Sequence, residues 1–553
     1  MNRSLYGWFK CLIEIGLLLL TNGIANYLFI RHYTYYSDDW SDVITSPDSS
    51  RTYLSVLSDC QRPIQFALKK LAFSFHGADA LSLQLAGLVL SSIFLILLYL
   101  IIRKIATDFG YLSYLPFVSC LLYVVMWNKD EAYPWIIVSI CNEVGFLFFA
   151  GSILCYLYRD KRFFLPVSLL FYFLGLLTYE TGIAIPVLFL VYDLLKGRKI
   201  RDSLYYLFPL GLVMLIRTTQ WFGFGYVRYG HDVSSFDPTV ILLHTGLFIF
   251  TSLLILSNQV QFSVMGWMQV TPLQGFGILA CNILLILIIS FYLRLYRFVE
   301  RGSFRYLLIL ITGLVVTSVP IILTTGGTPT RGYILIDIFV ATLVAYLGIR
   351  ACGAKYARVV LMALIFCSLL ICQGLYVNWV ESGEISDNVA GYICSHSGEI
   401  GKYPYLYVNS TDFVKNAPNS LGTAYHPTRE DLFRLKRDVL GNQFDDLITK
   451  LGNEDVITRI DSGYVQYYNA KCLDQWAFDG MLKKCGLRNV TLIYGGNWYG
   501  NFPTYAGNNQ IRYQQYDNYH PTGPEVTIPR SKVYEITWDR ITSSDLKPTL
   551  TLF

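Results

Sequence analysis

The chain has 553 residues, of which 54% are hydrophobic and only 15% are charged. Soluble domains carry about 25% charged residues, so this composition excludes a purely soluble enzyme. The aromatic content of 16%, together with the low charge, also excludes a disordered chain. Lys and Arg (44) outnumber Asp and Glu (39) by only five, an excess too small to indicate a nucleic-acid partner.

Long apolar stretches fill the first two-thirds of the sequence, and a helix needs roughly 20 apolar residues to cross a bilayer. The pattern predicts 11 spans, at residues 11–30, 80–102, 112–127, 134–157, 164–179, 181–195, 203–221, 275–293, 306–324, 333–349 and 358–379. The first is not a cleavable signal peptide, because it runs into Arg31 and His32 rather than a small-residue cleavage site.

The distribution of Lys and Arg predicts the orientation. One set of connections, with the N-terminus, holds 18 of them, whereas the opposite set holds nine in longer segments. Because basic loops stay in the cytoplasm, the N-terminus is predicted to be cytoplasmic and the tail extracytoplasmic. We therefore expect an integral protein of the plasma membrane, or of the inner membrane in a bacterium.

A further apolar stretch at 240–257 does not fit this alternation as a single span. A single crossing there would move the basic run 294–305 to the outer face. We therefore expect either a re-entrant hairpin or a pair of short spans across 240–270.

The tail has a different character, and we divide the chain into a membrane domain, 1–380, and a soluble domain, 381–553. Short strand-like runs at 405–408, 490–494, 526–528 and 533–537 alternate with helical patterns near 429–451 and 471–485. This alternation predicts a mixed α/β domain outside the cytoplasm. A disulfide between Cys472 and Cys485 fits an oxidising compartment, with free thiols as the alternative.

The predicted outer face collects polar residues, which are costly in a membrane protein and therefore informative. The first outer loop, 31–79, begins with the acidic pair Asp38-Asp39 between aromatic residues. Such a pair suits general-base chemistry, since like charges raise the pKa of one carboxyl. The structural alternative is a solvated loop in which Asp38 caps a short helix. The amphipathic run 64–73 later in the loop fits a helix that lies on the bilayer surface.

Other polar residues on this face are candidates for binding a phosphate, for which arginine offers a forked charge. They are Arg62, Glu180, Arg217, Arg228, His231 and Arg331. Each has a structural alternative: Glu180 as a turn carboxylate, His231 as a loop histidine, and Arg331 as an interfacial anchor. Glu143 and Asp337 fall inside predicted spans, where we expect them to pair with Arg217 or a polar neighbour. Glu14 is expected to extend towards the cytoplasmic surface.

Three segments resemble the GT-C superfamily of membrane glycosyltransferases, in particular its protein O-mannosyltransferase-like and bacterial O-antigen glucosyltransferase members. Asp38-Asp39 with Arg62-Pro63 resembles the catalytic first outer loop of that family. The run 176–186, LLTYETGIAIP, resembles its turn between two middle spans. The run 328–333, TPTRGY, resembles a "P-x-R-Y" turn, although Gly332 separates the arginine from the tyrosine.

The resemblance implies a multi-span helical fold and a polyprenyl-phosphate-linked sugar as donor. Asp38 or Asp39 would deprotonate the hydroxyl of a glycan, lipid or protein acceptor. That hydroxyl would attack the anomeric carbon of the sugar and invert its configuration. Arg331, with Arg228 or Arg217, would hold the leaving phosphate, and Glu180 would position the donor or an arginine. Two carboxylates could also hold Mg²⁺ or Mn²⁺, but no His/Cys spacing indicates zinc.

Three other functions compete with this interpretation. A transporter or flippase of lipid-linked sugars would need coupling residues near the bilayer midplane and matching halves, and the sequence has no matching halves. An O-antigen polymerase or ligase would more naturally concentrate Arg and His in one late loop. An adhesion or receptor protein would not need Asp38, Glu180 and Arg331 on the same face.

Overall fold

The structure, a computed structural model, describes most of the helical region and part of the tail. The described residues are 3–36, 39–40, 62–76, 79–111, 114–126, 129, 132–224, 283–284, 287–288, 301–325, 333–408, 475–494, 499–517 and 520–536. Every predicted span that lies in these ranges is helical. The stretch 240–270 lies outside them, as does most of the predicted span 275–293.

Helices account for nearly all of the described part of the first 400 residues. They are α1 Arg3–Tyr27, α2 Pro63–His76, α3 Ala80–Asp108, α4 Leu115–Val125, α5 Glu143–Leu157, α6 Phe164–Thr178, α7 Ile185–Lys196, α8 Arg201–Leu204, α9 Leu207–Phe224, α10 Arg301–Thr325, α11 Tyr333–Ser395 and α12 Ser397–Ile400. A π-helical turn, Val138–Asn142, leads directly into α5.

Side-chain contacts show that α1 and α3 run in opposite directions. Asn22 near the end of α1 donates to Ser91 near the start of α3 (3.1 Å). Tyr99 near the end of α3 donates to Glu14 in the first half of α1 (2.5 Å). We call the end of the bundle where α1 ends the loop end, because it carries residues 33–40, and the opposite end the basic end.

The segment α11 contains a reversal of direction. A Cβ added to Gly348 would lie 3.0 Å from Leu361 Cδ2, whereas 13 residues of straight helix would separate the two positions by about 20 Å. The segment therefore forms two antiparallel arms, in line with the predicted spans 333–349 and 358–379. The second arm continues beyond Trp379 to Ser395.

Apolar composition identifies this bundle as a helical membrane protein. Within the described residues, three helical stretches are long and apolar enough to cross a bilayer: Phe9–His32, Ala80–Asp108 and Val138–Leu157. Shorter apolar helices, 115–125, 164–178, 304–318 and 359–373, pack beside them. Many large apolar side chains of these helices are exposed, among them Leu12, Leu20, Val89 and Phe366, as expected for a surface that faces lipid.

The described part of the tail contains two small sheets and a helix, α13 Gln475–Lys484. The strands are β1 Tyr405–Val408, β2 Thr491–Tyr494, β3 Tyr499–Ala506, β4 Gln510–Asp517, β5 His520–Pro521, β6 Val526–Pro529 and β7 Val533–Ile536. The first sheet is parallel in the order β2-β1-β7, and the second is antiparallel, with β3 on one side of β4 and β5 and β6 on the other.

Cys485 forms a disulfide with Cys394, so the predicted pairing with Cys472 is wrong. Cys485 follows the last residue of α13, and this helix packs against the end of α11 that carries Cys394. The two Cα atoms are 4.8 Å apart, within the range that a disulfide requires. The bond therefore joins α13 to α11, the helix that continues from the membrane domain across the predicted boundary at residue 380.

Buried charges at the basic end are paired. Asp193 on α7 accepts a hydrogen bond from Tyr156 (2.5 Å) and forms a salt bridge with Arg159, and the side chains of both ionic partners are almost completely buried. Arg159 also reaches Asp202 at 3.3 Å. The expectation that Glu14 extends to the surface is wrong, because Glu14 is only 9% exposed and bonds to Tyr99.

Replacing Arg159 by Met leaves the buried Asp193 carboxylate without its cation, so we expect a loss of about 3–5 kcal/mol of stability. The double variant Arg159→Met/Asp193→Leu should regain much of this loss. Thermal unfolding of the purified protein in detergent measures both effects. Arg162→Met is the matched control because Arg162 is exposed, and an equal loss in that variant would contradict the prediction.

Candidate active site

Asp39 is fully buried at the loop end and joins the first loop to a distant helix. Its Oδ2 accepts hydrogen bonds from the backbone amides of Tyr36 (3.2 Å) and Ile136 (3.1 Å), and its Oδ1 accepts one from Ile137 (3.0 Å). Ile136 and Ile137 begin the helical run that continues through the π-helical turn into α5. A carboxylate is stabilised at a helix N-terminus because free amides and the helix dipole point at it.

Aromatic residues beside Asp39 pack against the second arm of α11. The Trp40 indole is fully buried and donates from Nε1 to Ser386 Oγ (2.8 Å). The Tyr36 hydroxyl donates to the Trp379 carbonyl (2.9 Å), and the two rings meet edge to face. The described residues on both sides of Asp38 are therefore fixed by helix contacts.

Two titratable groups beside this loop have shifted pKa values. Burial raises the pKa of the Tyr35 hydroxyl, and the nearby negative charge of Asp39 raises it further. Burial also raises the pKa of the Asp387 carboxyl, although a hydrogen bond from Thr34 (2.7 Å) and the positive charge of Lys484 oppose the shift. Tyr35 and Asp39 are buried, whereas Asp387 is exposed.

Arg62, from the far end of the same loop, lies against the turn between α6 and α7. Its guanidinium carbon is 4.5 Å from the centre of the Tyr179 ring, and Tyr179 directly precedes Glu180. One helical turn later, Gln65 donates to Asn142 in the π-helical turn (3.1 Å). These contacts bring two sequence segments that are more than a hundred residues apart to one place.

The turn at Glu180–Gly182 is compact because glycines admit a phenylalanine ring. A Cβ on Gly182 would lie 2.4 Å from the Phe149 ring, and one on Gly175 would lie 2.5 Å from it. The turn is a single 3₁₀ turn that also packs against α10, the helix that ends just before residues 326–332. Most of the TPTRGY run lies in 326–332, outside the described residues, so its position remains a prediction.

Buried charges also lie deeper at this end. Lys129 is fully buried, donates to the carbonyls of Val124 (3.3 Å) and Met126 (3.1 Å), and lies 4.8 Å from the ring centres of two tyrosines. Glu143 is 1% exposed, and Lys129 is the positive charge that acts on it. The sequence predicts Arg217 or a polar neighbour as the partner of Glu143. In the structure, the positive charge that acts on Glu143 is that of Lys129.

The predicted site residues differ in how far the structure describes them. Asp39 and Arg62 have the contacts given above. Glu180 and Arg217 lie in described helical backbone, in the 3₁₀ turn and in α9. Asp38, Arg228, His231 and Arg331 lie outside the described residues, and their roles remain predictions.

The described residues contain no group of three or more His, Cys, Asp or Glu side chains that could hold a metal ion. The Asp39 oxygens accept three amide hydrogens, and Asp38 lies outside the described residues, so a site for Mg²⁺ or Mn²⁺ remains a prediction. We therefore derive no catalytic step through Mg²⁺ or Mn²⁺.

Comparisons with known proteins add little to this site. No protein-family model and no curated protein matches the chain. Among solved structures, the chain is similar to ArnT from Cupriavidus metallidurans, crystallised with undecaprenyl phosphate, at 11% identity and a TM-score of 0.38. The match covers 73% of this chain and 83% of the other. This likeness is too weak to carry an argument about function.

Sequence reasoning missed several residues that shape the site. Tyr179 supports Arg62, and Ser386, Asp387 and Lys484 contact or act on the residues around Asp39. The sequence holds one signal for Ser386 and Asp387, because both lie in the polar run 381–388 that directly follows the last apolar stretch. The contact of Lys484 depends on tertiary structure alone.

We expect Asp39→Asn to lower the thermal stability of the protein. An asparagine would turn its NH₂ group towards at least one amide donor that now faces a carboxylate oxygen, at a cost of about 1–3 kcal/mol. Asp79→Asn is the matched control, because Asp79 is an exposed helix cap that accepts one amide hydrogen, and asparagine caps helices equally well. Equal melting temperatures for the two variants in detergent would contradict this account of Asp39.

Proposed function

We propose that this protein is a membrane glycosyltransferase. It would transfer a sugar from a polyprenyl-phosphate-linked donor to a glycan, lipid or protein acceptor at the loop end, on the extracytoplasmic side of the membrane. The observation that carries the proposal is the stacking of Arg62 on Tyr179, beside Glu180. It brings together two of the three segments that resemble the GT-C superfamily.

Asp38 is our choice for the general base. The Asp39 carboxylate is buried and accepts three amide hydrogens, whereas a general base must reach the acceptor hydroxyl. In the proposed reaction the acceptor oxygen attacks the anomeric carbon and its proton passes to Asp38. The bond between that carbon and the phosphate oxygen breaks, so the configuration inverts and the polyprenyl phosphate leaves with the electron pair.

The leaving phosphate gains negative charge as the bond breaks, so cations aimed at it stabilise the transition state. Arg62 is one such cation, and its contact with the Tyr179 ring holds the guanidinium beside Glu180. The remaining candidates are Arg217, Arg228, His231 and Arg331, with Glu180 positioning the donor or an arginine. All of them belong to segments that the sequence assigns to the same face as Asp38.

The function is tested by mass spectrometry of surface glycans from cells that carry the wild-type gene, the Asp38→Asn variant or no gene, at matched membrane levels. A sugar-sized mass increment should appear with the wild-type protein. It should fall about 100-fold or more in Asp38→Asn, the usual contribution of a general base. Asp48→Asn removes another carboxylate of the same loop and should leave the increment unchanged.

Two results would count against the proposal. An increment that survives in Asp38→Asn would keep the enzyme but overturn the choice of base. The absence of any increment with well-inserted wild-type protein, repeated with a purified lipid-linked sugar and several acceptors, would favour a transporter or flippase. Adding EDTA to the purified reaction measures any contribution of a divalent cation.

Arg62→Lys should lower the rate of transfer about tenfold, because lysine keeps the charge but loses the planar guanidinium and its forked donors. Arg62→Gln should lower it further, and Tyr179→Phe, which keeps a ring for stacking, should stay near the wild-type rate. Initial rates with purified donor and acceptor check the order of these variants. A Lys variant as active as the wild type would show that the geometry of Arg62 is unimportant.

A further inference from the structure

The second arm of α11 extends beyond Trp379 and contacts both the first loop and the tail. On one side it carries Ser386 and Asp387, which bond to Trp40 (2.8 Å) and Thr34 (2.7 Å). Further along the arm, two buried residues contact the tail. The Ala390 carbonyl lies near the Cys485 sulfur, and the Tyr392 hydroxyl lies near that of Tyr534. One helix is therefore the common support of the loop and the tail.

The tail is held to this helix by covalent and non-covalent contacts. The disulfide Cys394–Cys485 fixes the end of α13. Phe478 and Met481 of α13 are fully buried, and α13 packs against α11. The hydroxyls of Tyr392 and Tyr534 lie 3.1 Å apart. These contacts leave α13 little freedom to shift along α11.

Lys484, the last residue of α13, reaches the first loop. Its Nζ lies 4.7 Å from the centre of the Trp40 ring, and its positive charge acts on Asp387. Because Trp40 also donates to Ser386, the indole is held between α11 and the tail. Trp40 is adjacent to Asp39 and two residues from Asp38 in the chain.

The loop approaches α11 closely at Gly383. A Cβ there would lie 2.9 Å from the Tyr36 hydroxyl oxygen and 3.0 Å from Thr34 Cγ2. A Cβ on Gly391, in the same helix, would meet nothing within 4 Å. The loop therefore packs closely against α11 at Gly383 but not at Gly391.

We infer that the tail positions the first loop: the Cys394–Cys485 disulfide holds α13 so that Lys484 fixes Trp40, and through it the residues that flank the proposed base. This inference rests on the proposed function, and it makes Lys484 a positioning residue rather than a catalytic one. It also makes sugar transfer dependent on an oxidised disulfide. The tail thereby acts on the reaction without touching the reacting atoms.

The experiment combines hydrogen exchange of the intact protein in nanodiscs with transfer kinetics. The amides of Tyr36 and Asp39, which are bonded within the loop, report on its order whether or not the protein transfers sugar. In Lys484→Ala we expect both amides to exchange about threefold faster, and kcat to fall about threefold with an unchanged KM for the donor, the scale of one exposed cation–π contact. Lys484→Arg should restore both values.

Two matched pairs separate positioning from general damage. Lys483→Ala should behave as wild type, because Lys483 pairs with Asp479 within α13 (2.5 Å). Gly383→Ala should loosen the loop, whereas Gly391→Ala should not, although both changes raise helix propensity equally. Cys394→Ser/Cys485→Ser and mild reduction of the wild type should each reproduce or exceed the effect of Lys484→Ala.

The outcomes distinguish this inference from the proposed function. Faster exchange together with lower kcat supports the inference. If the variants exchange faster but the wild-type protein transfers no sugar, the proposed function is overturned. The inference that the tail positions the first loop then still holds. Unchanged exchange in Lys484→Ala, in Gly383→Ala and after reduction overturns the inference, whatever the activity.

Discussion

The arrangement of the loop end depends on one buried carboxylate. Asp39 accepts amide hydrogens from its own loop and from the start of the helical run at Ile136. A buried charge is tolerated only when donors compensate for its lost hydration, so loop and helix must be in place together. Arg62 and Trp40 belong to the same loop. The hydrogen bonds of Asp39 anchor the first part of that loop to the helix at Ile136.

The sequence predicts the helices well, because long apolar stretches and basic loops are local signals. It also brings together Asp38, Arg62 and Glu180 through resemblance to short motifs. It does not separate Asp38 from Asp39, which have the same chemistry and almost the same position. The structural role of Asp39 comes from amides at Ile136 and Ile137, about a hundred residues away, and no local pattern encodes that contact.

The pairing of Cys485 shows a similar limit. Proximity in sequence favours Cys472, whereas the packing of α13 against the end of α11 brings Cys394 within bonding distance. The contact between Lys484 and Trp40 likewise joins residues more than 400 positions apart. Long-range contacts of this kind determine which residues surround the acidic pair, so the candidate site is less predictable than the fold.

The extension of α11 determines how far above the bilayer core the first loop is held. Trp379 ends the apolar stretch, and Asp387 lies about 12 Å further along the axis at 1.5 Å per residue. The residues that hold the first loop therefore extend from the edge of the hydrocarbon at Trp379, through the headgroup layer of roughly 5–8 Å, to just beyond it at Asp387. A site at this height adjoins the lipid headgroups, so the proposed transfer would depend on headgroup size and charge.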